Sequence, residues 1–249
     1  MQISIRETAA SCLSVEGTLS VRRDIFGYIW GPIDRTLSVK NHLELIGGTA
    51  FNLSIFLVGH EPDFSGEFSQ DDARRMQAAI DWMRELYAQV GLGVRKLYWR
   101  YIPMAEAITD TNDFTQVDQS GVQELTESFS GPNDGIDVFF VTSVIGAGGF
   151  SFVNDFEGEG GPCDKNVQDV RTGAVLELKN TDSFTGILLA HEVGHYLGLL
   201  HAGDVTNVMG DGGGIANIDD VTEPSGGSVN LTMAQGNTMK AHCSIQPPC

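Results

Sequence analysis

Runs of hydrophobic residues divide the chain into segments of strand length and segments with helical periodicity. In residues 70–90, Met76, Ile80, Met83 and Tyr87 recur at intervals of three and four, which is typical of an amphipathic helix. Shorter apolar runs bounded by turn residues are typical of buried strands. The pattern predicts strands at 51–58, 94–102, 136–142, 150–153 and 174–179, helices at 70–90, 183–197 and 231–242, and a helical turn near 120–129.

The order of these elements predicts an α+β fold, in which helices pack on the faces of one sheet. Residues 1–48 contain short alternating pieces between turn residues. They predict a small β-rich N-terminal extension, which is either an accessory module or a pro-like segment. We expect residues 49–249 to form the main domain. Its loops should be long and irregular, because glycines are frequent between residues 202 and 230.

The charge balance narrows the classes of partner. The 249 residues include 15 basic and 33 acidic side chains, which gives a formal net charge of −18. A nucleic-acid binder or a protein held on anionic lipid needs a positive surface, so the composition argues against both classes. No apolar run approaches the roughly 20 residues that span a bilayer. We therefore expect a monomer without a membrane span that attracts cations.

The cysteines limit the kinds of covalent and metal site. The four cysteines, at positions 12, 163, 243 and 249, form no CxxC pair. We therefore expect neither a zinc ribbon nor a redox dithiol, and up to two disulfides. Spacing does not give their connectivity, although Cys243 and Cys249 could close a small loop. The N-terminus lacks the basic-then-apolar layout of a signal peptide, so an exported protein would be represented here without one.

The stretch HEVGHYLGLLH carries the candidate chemistry. On a helix, His191 and His195 lie four residues apart on one face, a separation that lets two imidazoles reach one zinc ion. Glu192 lies beside the first of them and can deprotonate a water molecule without binding the metal. Gly198 can end the helix in the left-handed conformation, so that the chain turns back and His201 supplies a third ligand. Three imidazoles leave a fourth position for water, which is typical of a catalytic zinc site.

HExxHxxGxxH followed by a methionine, here Met209, resembles the metzincin clan of zinc endopeptidases. Met209 follows His201 by eight residues, which resembles the short spacing of matrixins, whereas HEVGHxLGLxH is similar to the motif of pappalysin-like bacterial members. Ala202 matches neither the serine that matrixins have at that position nor the aspartate of adamalysins. Asp211 stands where astacin-like and serralysin-like members have a tyrosine, so we expect no tyrosine ligand.

The resemblance implies a metzincin-type fold. That fold has a mixed twisted sheet, two long helices and an active-site helix that ends at a glycine turn. Its upper subdomain would span residues 49–198, and its glycine-rich, irregular lower subdomain would span residues 199–249. Met209 would lie under the three imidazoles as a hydrophobic support.

The resemblance also implies a secreted, zinc-dependent endopeptidase. One catalytic zinc ion would be held by the three histidines, and Glu192 would activate its water for attack on a peptide bond. Protein or peptide substrates would bind in an extended conformation along an antiparallel edge strand. We place that strand at Phe150, Ser151, Phe152 and Val153.

Two further interpretations concern metals and latency. Acidic loops at 110–113, 154–159 and 219–220 would suit structural calcium, which many metzincins carry, although solvated loops are the favoured interpretation. Cys12 could occupy the fourth zinc position as in matrixin pro-segments, but its surroundings do not match that motif, and a disulfide or free thiol is favoured. The other histidines lack ligand spacing and are expected at the surface or half-buried: His42, His60 and His242.

Two other functions remain open from the sequence. One is a catalytically silent recognition or adhesion domain stabilised by zinc and calcium. The presence of Glu192 argues against it, because such a domain has no need of a base. The other is a zinc amidase or esterase that acts on a non-protein substrate, which would need a closed pocket in place of an open cleft.

Overall fold

The computed structural model describes residues 4–7, 13–16, 48–61, 63–64, 66–131, 134–151, 160–163, 165, 172–179, 181–204, 206–210 and 229–248. The elements in chain order are β1 (Ser4–Glu7), β2 (Leu13–Glu16), β3 (Ala50–Val58), α1 (Gln70–Ala88), β4 (Gly93–Ile102), α2 (Met104–Ala107), β5 (Gln116–Val117), α3 (Gln119–Phe129), β6 (Gly135–Val141), β7 (Ser143–Val144), β8 (Gly149–Ser151), β9 (Ala174–Glu177), α4 (Asp182–Tyr196) and α5 (Met233–Ala241).

A five-stranded, mostly parallel sheet forms the centre of the described structure. The strand order is β4-β3-β6-β9-β8. Neighbouring strands are parallel except β8, which pairs antiparallel with β9 at one edge of the sheet. The predicted α+β class with a mixed sheet is confirmed. The five predicted strands and three predicted helices are all found, and each begins and ends within two residues of the predicted position.

The sheet is covered on both faces, which explains why its inner strands are mostly apolar and buried along their whole length. Every residue of β3 and of β6 is buried. Alternate side chains of β3 enter two different cores, since successive residues of a strand point to opposite faces. Phe51, Leu53 and Ile55 pack in the larger core with α1 and α4, whereas Phe56 and Val58 pack in a smaller core with α3.

Helix α1 follows from its periodicity and its N-terminal cap. The Ser69 hydroxyl accepts a hydrogen bond from the backbone N–H of Asp72, and the Asp72 carboxylate accepts one from the backbone N–H of Ser69. This capping box satisfies two backbone donors that the helix itself cannot. Gly91 follows the helix at φ 69°, a conformation that favours glycine.

Helices α1 and α4 are in close contact at a glycine. A Cβ atom on Gly186 would lie 2.8 Å from the carbonyl oxygen of Ala79 and closer still to Cβ of Trp82. A buried hydrogen bond of 2.7 Å from the Tyr87 hydroxyl to the carbonyl oxygen of Ala190 ties the same two helices together. The position of α4 beneath the sheet therefore depends on α1.

Several elements differ from the sequence-based expectation. The segment expected to form one helical turn is the 11-residue helix α3, since the Asp118 carboxylate accepts hydrogen bonds from the N–H groups of Ser120 and Gly121 and caps its start. The parallel pair of β5 with β7 and the short helix α2 were not predicted. Strands β1 and β2 form an antiparallel pair in the N-terminal segment. The division at residue 48 stays a prediction.

His60 corrects a prediction. It is fully buried, not half-buried or at the surface. Its ring contacts the rings of Phe64, Phe68 and Tyr101, and Nδ1 accepts a hydrogen bond from the backbone N–H of Phe68. Burial lowers the pKa of His60. The residue therefore belongs to the packing of the segment that follows β3.

A disulfide joins Cys163 to Cys243. The predicted alternative, a small loop closed by a Cys243–Cys249 disulfide, is therefore wrong, because Cys243 is bonded to Cys163. The bond attaches the chain just after α5 to the segment that precedes β9. Cys12 and Cys249 lie outside the described residues. In the part of the chain that the structure describes, no helix has the length and apolar character to cross a membrane.

Reducing this disulfide should lower thermal stability considerably. It closes a loop with a sequence separation of 80 residues, and the loop-entropy model assigns such a bond about 4 kcal/mol. A melting temperature about 10 °C lower is expected for the Cys163→Ala/Cys243→Ala protein. Cys243→Ser alone should produce the same fall, and unequal effects of the single and double changes would contradict the pairing.

The contact at Gly186 predicts a second stability effect. Alanine favours a helix over glycine by about 1 kcal/mol, yet Gly186→Ala should destabilise the protein by about 2 kcal/mol because backbone of α1 must move. Gly203→Ala is the matched control, since a Cβ there would meet nothing within 4 Å. Denaturant unfolding of both variants measures the difference. A neutral or stabilising Gly186→Ala change would show that the helices are not this close.

Candidate metal centre

The three candidate metal ligands lie at the end of α4 and just beyond it. The helix starts at a Thr181 cap, where the hydroxyl accepts a hydrogen bond from the N–H of Phe184, and its regular part ends at Tyr196. Gly198 then adopts φ 90°, and the N–H of Leu199 bonds back to the carbonyl oxygen of Gly194 at 2.9 Å. This turn reverses the chain and brings the residues after position 198 back towards the helix.

The imidazoles of His191, His195 and His201 converge on one point. Nε2 of His195 lies 3.1 Å from Nε2 of His191 and 3.1 Å from Nε2 of His201. The structure therefore brings together the three histidines that the motif singled out. Among the described residues they are the one group of histidine, cysteine or acidic side chains arranged to hold a metal ion.

Hydrogen bonds fix the tautomers of two of the rings. Nδ1 of His191 lies 2.8 Å from the carbonyl oxygen of Val208, and Nδ1 of His195 lies 2.8 Å from that of Leu199. A carbonyl oxygen only accepts, so each Nδ1 carries the proton and each Nε2 presents a lone pair. Burial first, and then the neighbouring His195, lower the pKa of His191 to about 4, so this ring is neutral at pH 7.

The donor set fits a zinc ion. Lone pairs on neighbouring Nε2 atoms repel each other, and a cation between them removes that repulsion. Bonds of about 2.0–2.1 Å in a tetrahedral site place two nitrogens about 3.3 Å apart, close to the 3.1 Å found between these rings. Carbonyl partners on Nδ1 are typical of histidines that bind metal through Nε2. The arrangement can therefore hold one zinc ion.

Glu192 lies next to the histidine cluster in a dry environment. Its side chain is 5% exposed, and burial raises its pKa to about 8 when no cation is near. Gly149 in β8 makes room for it, because a Cβ atom there would lie 3.0 Å from both Cγ and Oε1 of Glu192. The sequence pattern did not single out Gly149. Only the tertiary packing of β8 on α4 shows its role.

Met209 lies directly beneath the helix that carries the ligands. It is fully buried, and a Cβ on Gly194 would lie 2.6 Å from its sulfur. The carbonyl oxygen of Met209 also accepts a 2.6 Å hydrogen bond from the N–H of Ala202, next to His201. Residues 207–210, which we call the methionine turn, thus contact both α4 and the chain that returns after Gly198.

The predicted edge strand is described in part. β8 includes Phe150 and Ser151, and both are half-buried, while Phe152 and Val153 lie outside the described residues. Phe150 pairs with Val175 of β9. β8 ends the strand order, so in the described part of the chain its outer edge has no neighbouring strand.

Among the described residues, the acidic loops form no group that is arranged to hold a calcium ion. The Asp113 carboxylate accepts hydrogen bonds from the N–H and hydroxyl of Thr115, which makes it part of a turn. The loops at 154–159 and 219–220, like Asp211, lie outside the described residues. The expected structural calcium therefore has no support from the residues that the structure describes.

The burial of Glu192 predicts a pH-dependent effect on the stability of the metal-free protein. The folded-state pKa of about 8 lies above the ordinary 4.5, so the native state keeps a proton that the unfolded state releases between these values. The contribution of Glu192 to the free energy of unfolding is therefore fully present below pH 4.5 and is lost as the pH rises to 8. Glu192→Gln removes that loss.

Melting curves in the presence of a chelator test this expectation. Glu192→Gln should stabilise the protein relative to wild type by at least about 1 kcal/mol at pH 8, and by progressively less towards pH 5. Glu124→Gln, at an exposed position of α3, is the control and should show no such trend. A wild-type minus Glu192→Gln difference that stays constant with pH would contradict the buried carboxyl.

Comparison with known proteins gives structural likeness at low identity. No protein-family model matches the chain, and no curated protein does so either. The chain is similar to metalloproteinase-II from Bacteroides fragilis, with a TM-score of 0.47 and 14% identity over 76% of this chain and 52% of that protein. It is also similar to archaemetzincin from Methanopyrus kandleri, with a TM-score of 0.45 and 16% identity over 76% of this chain and 94% of that protein. The chain thus spans about half the length of the Bacteroides protein.

Proposed function

We propose that the protein is a zinc-dependent endopeptidase of the metzincin type. The observation that carries this proposal is the convergence of Nε2 of His191, His195 and His201 within 4.8 Å of one another, with the buried carboxyl of Glu192 on the same helix. Three imidazoles and one adjacent acid form a set that can hold a catalytic zinc ion and activate water for hydrolysis of an amide.

The three histidines would hold the zinc ion through Nε2. Zinc, when bound, supplies Lewis acidity that polarises a peptide carbonyl and lowers the pKa of water. Val208 and Leu199 orient two of the rings through the hydrogen bonds to Nδ1. Met209 supports the helix at Gly194.

Glu192 would act as general base and then as general acid. Its carboxylate takes a proton from the attacking water and passes it to the leaving amine. Burial suits both steps, because a carboxyl in a dry site binds a proton more strongly than one in water. Gly149 keeps the space in which this side chain lies.

The edge of β8 would bind the substrate. A peptide that adds as a strand gains backbone hydrogen bonds without regard to its sequence, which suits extended protein substrates. Phe150 and Ser151 lie in this strand, and we extend the proposed site to Phe152 and Val153.

The wider setting is part of the same proposal. The disulfide between Cys163 and Cys243 favours an oxidising compartment, so we propose that the enzyme acts outside the cell. Residues 49–249 would form the catalytic domain, and residues 1–48 would form an accessory or pro-like segment that precedes it. A monomer remains our expectation.

Mutation should separate metal binding from catalysis. Glu192→Ala removes no ligand, so zinc content should stay near one per chain while peptide cleavage falls by at least about 10²–10⁴-fold, as expected for loss of a general base. His201→Ala should lose zinc and activity together. Glu124→Ala, at an exposed position of α3, is the control and should match the wild type.

Zinc content, melting temperature and cleavage of a library of unstructured peptides are measured on the same preparations. A folded, zinc-loaded Glu192→Ala protein that cleaves at the wild-type rate would overturn the proposed mechanism. Wild-type protein that binds zinc yet cleaves no peptide would favour the silent recognition domain, and cleavage that persists in a chelator would remove the metal from the reaction.

A further inference from the structure

We propose that Gln235, at the start of α5, is a positioning residue for the metal centre. It acts through Asn207 and the carbonyl group of Val208 on the ligand His191. The inference rests on the metal site proposed above, but it concerns contacts that none of the proposed catalytic steps uses.

Two side-chain amides form a reciprocal pair. Nδ2 of Asn207 donates to Oε1 of Gln235 at 3.0 Å, and Nε2 of Gln235 donates to Oδ1 of Asn207 at 2.8 Å. Other contacts fix the orientation of each amide. Oδ1 of Asn207 also accepts from the N–H of Met209 at 2.9 Å, and Oε1 of Gln235 also accepts from the N–H of Thr232 at 2.8 Å. A flip of either amide would place two donors face to face, so the arrangement is locked at both ends.

The pair anchors the turn that orients His191. Asn207 holds both ends of this turn, because its side chain accepts from the N–H of Met209 and its carbonyl oxygen accepts from the N–H of Gly210 at 2.9 Å. Val208 lies between these contacts, and its carbonyl oxygen is the partner of Nδ1 of His191. The N–H of Val208 also donates to the carbonyl oxygen of Asn230 at 2.9 Å, so the direction of the Val208 carbonyl depends on Asn207 and on Asn230 together.

The two helical ligands differ in what holds them. Nδ1 of His195 bonds to the carbonyl oxygen of Leu199, which lies four residues later and just past the end of the same helix. Nδ1 of His191 instead bonds to a carbonyl 17 residues away. That partner needs a support of its own, and the Asn207–Gln235 pair connects it to α5. Asn207 is 7% exposed, so water does not readily replace the amide contacts.

Gln235 also belongs to the capping box of α5, and the two roles can be separated. Thr232 caps the helix and Gln235 accepts hydrogen bonds from its N–H and hydroxyl. Gln235→Glu keeps that acceptor, because glutamate serves equally in a capping box. It replaces the Nε2 donor by a carboxylate oxygen that faces Oδ1 of Asn207. Thr232→Ala does the opposite, since it removes the cap and leaves the amide pair.

Zinc affinity, measured by competition with a chromophoric chelator, gives the first readout. Gln235→Glu should weaken zinc binding by about 10-fold, the low end of the effect of losing a direct partner of a metal ligand, because Gln235 acts on His191 through Asn207 and Val208. Thr232→Ala should lower the melting temperature by a few degrees, as expected for a lost cap worth about 1 kcal/mol, and should leave zinc affinity within about twofold.

The second readout needs neither zinc nor activity. In the metal-free, ¹⁵N-histidine-labelled protein, the Nδ1 proton of His191 should exchange with water faster in Gln235→Glu than in wild type. The Nδ1 proton of His195 is the control within the same molecule and should be unchanged. If Gln235→Glu does not fold, Asn207→Asp tests the same contact from the other side, because it keeps the acceptor for Met209 and loses the donor to Gln235.

The outcomes distinguish the two proposals. Unchanged zinc affinity together with an unchanged His191 proton would overturn the positioning role and leave Gln235 a helix cap. Equal loss of affinity in Thr232→Ala would overturn it too, since capping alone would then explain the effect. A wild-type chain that binds no zinc would overturn the proposed function, while the exchange of the His191 proton would still decide whether Gln235 orients that ring.

Discussion

Helix α4 is buried continuously from Thr185 to Gly194, so each polar group on this stretch must find its partner inside the protein. Most helices of this size keep one face in water. Here the sheet, α1 and the C-terminal segment surround the helix, and His191 and Glu192 lie within the buried stretch. The cost of burying them is offset for His191 by a backbone carbonyl. For Glu192 it appears as a raised pKa.

Burial of α4 also explains which parts of the fold could be predicted from the sequence. The recurrence of apolar residues at intervals of three and four identified α1, because that helix has one buried apolar face and one solvent-exposed face. Strands β3 and β6 were identified as apolar-rich stretches of strand length, because both faces of the sheet are covered. Helix α4 was predicted from the same helical spacing of apolar residues, although the structure buries this helix on almost all sides.

The candidate ligands could be predicted because their geometry is local. Residues four apart on a helix share a face whatever surrounds the helix, and Gly198 sets the turn within three residues of His195. Gly149, Asn207 and Gln235 could not be found in this way, because each acts through a residue distant in sequence. A capping-box pattern from Thr232 to Gln235 is visible in the sequence, but its second role depends on where α5 meets the methionine turn.

The pairing of the cysteines was unpredictable for the same reason. Cys163 and Cys243 are brought together by contacts around the end of α4. The N–H of Gly161 donates to the carbonyl oxygen of Tyr196 at 2.7 Å, and Nε2 of His242 donates to the carbonyl oxygen of Gly161 at 2.9 Å.

The disulfide therefore fastens two segments that already contact the end of the helix. The segment before β9 satisfies the carbonyl group of Tyr196, which the helix leaves unpaired, and the ring of His242 contacts the ring of Tyr196. A helix end in water would fray, and its last ligand would move with it. In this protein the end of α4 is held by the segment before β9, by the methionine turn and, through that turn, by α5. The three imidazoles that would hold a metal ion therefore stand on backbone that several neighbouring segments fix in place.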